Sequence, residues 1–258
     1  MKKPNVFDYQ AQAGVTKHLG GMKATRTLID GCGIKGSDRI LEIGCGVGTS
    51  SVYLAREFGC QVTGVDISER MVQRARERAQ ANKVQHLTTF RTADMDQLPF
   101  PSNVFEVVFC ESVLAFSQDK SKAISEMARV AVPGGFIALN ESIWLEEPTE
   151  ERVAWFAQDM AANASTMVFE EWTHLIEQAG LTLHTWEKGR VVIKDEVLGL
   201  VQRYGWLSLI RSTLRGIAMY IKRRDYREFV TEIRKSGVAP GNPEEYLGYG
   251  IIIAKKNA

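Results

Sequence analysis

The stretch Leu41-Glu42-Ile43-Gly44-Cys45-Gly46-Val47-Gly48-Thr49 ends a β-rich run and opens a helical one. That context gives a glycine-rich loop its meaning, because glycine lets the backbone turn sharply and approach a ligand where a Cβ would collide. The pattern is ExGxGxG. It is not the dinucleotide fingerprint GxGxxG, whose third glycine, counted from Gly44, falls on Thr49. Such a loop is built for close contact rather than for seating a pyrophosphate on a helix N-terminus.

Around the loop, from Ile40 to Glu141, short β-rich runs alternate with helical ones, the pattern of a parallel sheet covered on both faces. Strands are expected at 39–43, 61–66, 87–92, 104–110 and 135–142, and helices at 49–58, 69–81 and 119–131. Gly59 is placed to stop the first helix and Ser68 to cap the second. Further on, 150–163 and 170–179 read as helices, Leu181 to Val192 as a sixth strand and Tyr249 to Lys255 as a last one. The mostly helical sequence between those two strands is too long for a plain connection and reads as a lid or small subdomain.

Two more elements follow in order. Eighteen residues after Gly48 the second strand ends in Gly64-Val65-Asp66-Ile67-Ser68, and the third is followed by Thr92-Ala93-Asp94-Met95. A carboxylate in the place of Asp66 can accept hydrogen bonds from two neighbouring hydroxyls. Pro133-Gly134-Gly135-Phe136 then makes the turn before the fifth strand.

In motif order and spacing, residues 36–145 resemble the class I S-adenosylmethionine-dependent methyltransferases. The resemblance implies an α/β fold with a Rossmann-like, seven-stranded, mostly parallel sheet flanked by helices, and a helical insertion before the last strand. It implies S-adenosyl-L-methionine as methyl donor and no metal. It places Glu42, Gly44, Cys45, Gly46, Gly48 and Cys110 around the donor, Asp66 on the ribose hydroxyls, Ile67 against the adenine, and Asp94 and Met95 at the adenine edge. The bland reading makes the glycines a tight turn and Asp66 a solvated cap.

The acceptor is read partly from missing motifs. Cys110-Glu111-Ser112-Val113-Leu114-Ala115-Phe116 lacks the Asn/Asp-Pro-Pro-aromatic pattern of enzymes that methylate base amines, and no Pro-Cys pair suggests an RNA cytosine enzyme. A small molecule is therefore the expected acceptor. Glu111 reads as a contact to the methionyl end, as an orienting group for the acceptor, or as an ordinary helix cap. The segment Val15 to Thr25 resembles the Gly-Gly-x-x-x-Thr stretch of small-molecule methyltransferases of the phosphoethanolamine and ubiquinone type. That resemblance implies an N-terminal cap in which His18, Leu19, Gly20 and Gly21 approach the methionine moiety and Tyr9 sits on a flap. The alternative is a surface helix starting near Met22.

Within this family resemblance Ala115 stands where the phosphoethanolamine enzymes carry a histidine base, so their acceptor is not implied. His86, His174 and His184 fall outside the expected cleft. Glu141 and Trp144, with Asn140, are expected on the acceptor side, where a carboxylate and an aromatic could hold an amine. Ordinary packing of Trp144 on the 150–163 helix is the competing reading.

The 258 residues fit one domain, organised as a cap over 1–35, a cofactor-binding core over 36–145 and an insertion over 192–245. With 32 basic and 31 acidic side chains, no overall field draws the chain to nucleic acid. The start at Met1 lacks the apolar stretch of a signal peptide, and the four cysteines lack CxxC spacing, so the sequence reads as cytoplasmic with reduced thiols. The 12 basic and 5 acidic residues between Lys188 and Lys235 give a local +7. There Leu207, Ile210, Leu214, Ile217 and Ile221 recur at helical spacing beside Arg211, Arg215 and Lys222. Such a stripe packs on its own domain, or else rests on an anionic membrane and admits a quinone- or lipid-like acceptor. A noncatalytic cofactor- or RNA-binding module is the reading from another class.

Overall fold

The computed structural model describes residues 6–16, 18–159, 164–235 and 239–257. The chain opens with helices α1 (Val6–Ala13) and α2 (Gly21–Cys32), then alternates β1 (Arg39–Ile43), α3 (Thr49–Phe58), β2 (Gln61–Asp66), α4 (Glu69–Ala81), β3 (Thr88–Thr92) and β4 (Phe105–Glu111). A single 3-10 turn over Leu114–Phe116 leads to α5 (Lys120–Val130) and β5 (Ala131–Trp144). Then come α6 (Glu150–Asp159), the two-residue β6 (Met167–Val168), α7 (Phe169–Gln178) and β7 (Leu181–Arg190). Helices α8 (Ile193–Tyr204), α9 (Trp206–Lys222), α10 (Arg224–Lys235) and α11 (Pro243–Tyr246) precede the closing strand β8 (Leu247–Lys256).

The sheet runs β3-β2-β1-β4-β5-β8-β7, with the short β6 paired to β5 beside that path. Among the described strands β8 runs antiparallel to both of its neighbours, pairing β5 from Phe136↔Lys255 to Trp144↔Leu247 and β7 on its other side. Both faces are apolar, and successive strand residues alternate between them. Ile40, Val62, Phe109, Ala138 and Ile253 pack under α2, α3 and α4, while Leu41, Val65, Val108, Leu139 and Ile252 pack under α5 and α7.

Local signals set the ends of several helices. Ser68 Oγ accepts from the Met71 amide (3.4 Å) at the start of α4, and the Gly59 amide closes α3 on the Ala55 carbonyl (3.1 Å). The fifth strand extends beyond the expected 135–142 because β8 pairs with it as far as Trp144. The helix expected over 150–163 is described to Asp159, and 160–163 lie outside the described residues, as do Met1 to Asn5 and Lys17.

The site is positioned by the reversal of strand order at β1 and β4. From β1 the chain winds outward through β2 to β3, and from β4 it winds the other way to β5. Crevices at such switch points, outside the carboxyl ends of the strands, are where open α/β sheets bind ligands. Ile43 pairs with Cys110 in the register, so the loop that begins at Gly44 lies beside Glu111.

Candidate active site

The loop after β1 is shaped by its glycines. Gly44 has φ 66°, and a Cβ on it would stand 2.3 Å from Val113 Cγ2. Gly46 has φ 52°, and its Cβ would meet Thr16 Cγ2 at 3.0 Å. Larger residues are thus excluded both by backbone conformation and by the close approach of β4's exit and the N-terminal segment. Cys45 is buried, and its amide donates to the Val65 carbonyl (2.9 Å); Gly48 precedes α3 and packs against Ala75.

Asp66, at the end of β2, bridges two turns. Its Oδ2 accepts from the Gly46 amide (2.9 Å) and its Oδ1 from the Ser68 amide (2.9 Å). Burial pushes its carboxyl above the ordinary carboxylate value, while those two amides pull it back. Each oxygen keeps acceptor capacity for a further donor. Ile67 beside it is 69% exposed, an apolar surface at the mouth of the loop. Asp94 is exposed and turns its Oδ1 to the Asp96 amide (3.0 Å), and Met95 is half-buried beneath.

At the end of β4 a polar cluster joins four elements. Glu111 Oε1 accepts from Thr25 of α2 (2.8 Å) and Oε2 from Ser50 of α3 (3.0 Å). Ser50 in turn accepts from Arg203 Nη2 of α8 (3.0 Å). His18 lies 3.6 Å from Glu111 Oε1 and 3.4 Å from Thr25 Oγ1. Burial pushes the His18 imidazole down to about 4, so at neutral pH it carries no charge. The Leu19 amide donates to Ser112 Oγ (3.2 Å), its carbonyl accepts from Asn140 Nδ2 (2.7 Å), and the Gly20 amide donates to Glu196 Oε1 of α8 (2.8 Å). Thr16 and Thr49 meet at the Tyr204 hydroxyl. The N-terminal cap and α8 are therefore fastened over the loop, enclosing a narrow cavity of about 10 Å³ lined by His18, Thr16, Arg203 and Leu200.

The structure brings Leu19, Gly20, His18 and Glu111 together but sends other expected site residues elsewhere. Tyr9 is packed on α10, 4.8 Å from the Tyr226 ring and 4.5 Å from that of Phe229, with its hydroxyl 3.4 Å from Asp225. That aromatic packing replaces the expected flap position. Glu42 is buried and accepts from Ser51 Oγ, and burial pushes it up to about 8; it secures α3 to β1 instead of lining the cleft.

Glu141 is also turned inward. Its Oε1 accepts from the Val113 and Leu114 amides (3.0 Å each) and lies 3.7 Å from Cys110 Sγ, and burial pushes it up to about 7. It holds the turn after β4 rather than an acceptor. Trp144 packs on Phe156 of α6 (5.4 Å between ring centroids) and donates from Nε1 to the Thr166 carbonyl (3.2 Å). Packing has won over the expected open aromatic face, although one side of Trp144 borders a 230 Å³ surface cavity with Lys188 and Glu170. His86, His174 and His184 are exposed, outside the cluster.

Sequence reading missed Arg203, Glu196, Ser50 and Ser112. Arg203 matters most: Nη2 donates to Ser50, but its Nε and Nη1 are buried with no hydrogen-bond partner, beside the cavity that Arg203 helps to line. It lies 153 residues from Ser50 along the chain, and no local pattern sets it apart from the other basic residues of the insertion.

This donor set fits S-adenosylmethionine. Asp66 suits a pair of ribose hydroxyls, exposed Ile67 an adenine face, and the partly unpaired guanidinium of Arg203 a carboxylate.

Residues 41–139 match the methyltransferase domain family. The chain is 32% identical over 177 residues to the 27-O-demethylrifamycin SV methyltransferase of Amycolatopsis mediterranei, covering 67% of this chain and 61% of that one. It is 24% identical over 184 residues to phosphoethanolamine N-methyltransferase 1 of Zea mays, covering 71% of this chain and 35% of the maize protein. The chain thus spans about three fifths of the first relative and about a third of the second. It shares its fold with an S-adenosylmethionine-dependent methyltransferase of Geobacter sulfurreducens solved with S-adenosyl-L-homocysteine, at a TM-score of 0.73, 21% identity and coverage of 98% and 99% of the two chains. Residues 41–139 thus carry the methyltransferase-domain match, and the fold around them is shared with a solved S-adenosylmethionine-dependent methyltransferase.

Proposed function

We propose that the chain transfers the methyl group of S-adenosylmethionine to a small-molecule acceptor at the carboxyl end of β4. The observation that carries this reading is the convergence, at the β1/β4 switch point, of the Gly44–Gly46 loop, Asp66 and the Glu111 cluster. The donor would supply an electrophilic methyl on a sulfonium, open to in-line attack by an acceptor lone pair as the C–S bond breaks and neutral S-adenosylhomocysteine leaves. The chain's own residues then have positioning to do. Asp66 takes the ribose hydroxyls, Ile67 and Met95 flank the adenine, Asp94 accepts from its amine, and Arg203 pairs with the methionyl carboxylate.

Glu111 has both oxygens committed to Thr25 and Ser50, so it organises the cap around the reacting end. His18 stays neutral and is a weak base, its value lying well below the neutral range in which general bases work best. Rate acceleration by proximity, alignment and exclusion of water suits this arrangement. Calorimetry with S-adenosylhomocysteine, followed by a methyl-transfer screen over amines, thiols, phenols and quinones, tests the reading. A folded protein that binds neither the donor nor its demethylated product rejects it.

A second reading, favoured by the exposure of the α9 stripe, gives the enzyme a lipophilic, quinone- or lipid-like acceptor reached at a membrane surface. Faster methylation of a quinone presented in anionic vesicles than of a water-soluble analogue supports it, and equal rates reject it.

A further inference from the structure

The apolar stripe of α9 does not pack on the domain. Trp206 (68% exposed), Leu207 (73%), Ile210, Leu214, Ile217 and Ile221 (70%) all face outward. At about 1.5 Å per residue the helix presents this stripe over roughly 25 Å. The outward face is not a displaced core face, because α9 already has a separate packed side: Leu209 sits on the cluster of Ala11, Val47, Met71 and Tyr204. Ile193, Val197 and Leu198 of the preceding α8 are exposed as well.

We propose that this outward face of α9 docks on an anionic lipid bilayer. Charge chooses the occupant. Along Trp206–Lys222 there are three basic residues, Arg211, Arg215 and Lys222, and no acidic one. At 100° per residue all three lie on one flank of the apolar stripe; Arg215 donates to the Ala13 carbonyl of α1 (3.3 Å), and Arg211 and Lys222 give the stripe the basic border of a helix lying in the headgroup region. Trp206, at the first turn, has the amphipathic ring that favours that boundary. No helix among the described residues is long and apolar enough to cross a membrane, which suits a surface-parallel position. A second copy seated antiparallel on the same stripe would bring the two basic flanks to one side, an arrangement that like-charge repulsion opposes.

Docking deepens the second functional reading, and it is measured separately from methyl transfer. The full chain is sedimented with phosphatidylglycerol/phosphatidylcholine vesicles and with phosphatidylcholine alone at low salt. Binding is expected to the anionic vesicles and to fall with added salt. The pairs Arg211→Glu/Lys222→Glu and Leu207→Ser/Ile217→Ser are each expected to weaken it at least about tenfold. Brominated lipid is expected to quench wild-type fluorescence more than that of Trp206→Phe. All these side chains are exposed, so circular dichroism and S-adenosylhomocysteine affinity are expected to match wild type.

Absence of sedimentation with anionic vesicles overturns the proposal. Binding indifferent to the Leu207/Ile217 pair overturns it too, as does a wild-type dimer that this pair dissolves. Lost vesicle binding with intact calorimetry rejects docking alone, whereas vesicle binding without any calorimetric signal rejects the methyltransferase reading alone.

Discussion

The Asp66 carboxylate accepts a hydrogen bond from the Gly46 amide at 2.9 Å, tying the end of β2 to the glycine loop 20 residues earlier. One side chain thus shapes the loop and, in the proposed function, takes the ribose hydroxyls. Asp66→Ala is expected to cost about 1 to 3 kcal/mol of donor affinity, the range for hydrogen bonds to a charged group. Calorimetry with S-adenosylhomocysteine measures it, and unchanged affinity removes Asp66 from the ribose.

Gly44→Ala places a methyl 2.3 Å from Val113 Cγ2 on a backbone with φ 66°. Overpacking combined with a left-handed alanine predicts a loss on the order of 2 to 4 kcal/mol of stability. The companion Gly44→Ala/Val113→Ala relieves the contact but keeps the backbone strain. Denaturant titration of both variants is expected to show partial recovery in the second.

Arg203→Met tests the partly unpaired guanidinium. The substitution removes a half-buried cation with two unpartnered nitrogens together with its Nη2 bond to Ser50, and the ligand-free protein is expected to lose no more than about 1 kcal/mol of stability. Donor KM is expected to rise about tenfold or more, with a smaller change in kcat. A thermal melt that falls sharply without ligand, together with unchanged KM, makes Arg203 structural.

His18 predicts an acid dependence of stability. Its folded value of about 4 lies below the usual 6.5, so the unfolded chain takes up the proton first as pH falls. The stabilisation is complete above about 6.5 and is lost as pH drops towards 4, on the order of 3 kcal/mol over that window. Denaturant titrations at several pH values, on wild type and His18→Gln, are expected to converge in slope only above the window.

Glu141 runs the other way. Its folded value of about 7 lies above the ordinary 4.5, so its contribution is whole below 4.5 and fades as pH rises through 7. Glu141→Gln keeps an acceptor for the Val113 and Leu114 amides and is expected to lose this dependence at small cost. Glu141→Ala leaves both amides unpaired and is expected to cost about 2 to 4 kcal/mol in denaturant titration.

The sequence by itself determined the sheet's parallel core and its cofactor class. Helix ends at Gly59 and Ser68, the ExGxGxG turn and the short apolar runs of β1, β2 and β4 act over a few residues, so they are written locally. The order of Gly44, Asp66 and Asp94 along the chain then follows from strand succession.

Tertiary structure alone decided which polar residues are shared across elements. Glu111 meets Thr25 across 86 positions, Gly20 meets Glu196 across 176, and Arg203 reaches Ser50 across 153. Periodicity cannot encode such meetings. At β5 the sequence suggests Asn140, Glu141 and Trp144 on the acceptor side, whereas in the structure all three are buried and each finds a hydrogen-bond partner inside. For α9 the pattern named an apolar stripe but not its cover; the opposite side of the helix took the packing against α1, leaving the stripe outward. A helix has enough circumference for both surfaces, and only the packed chain shows which one it used.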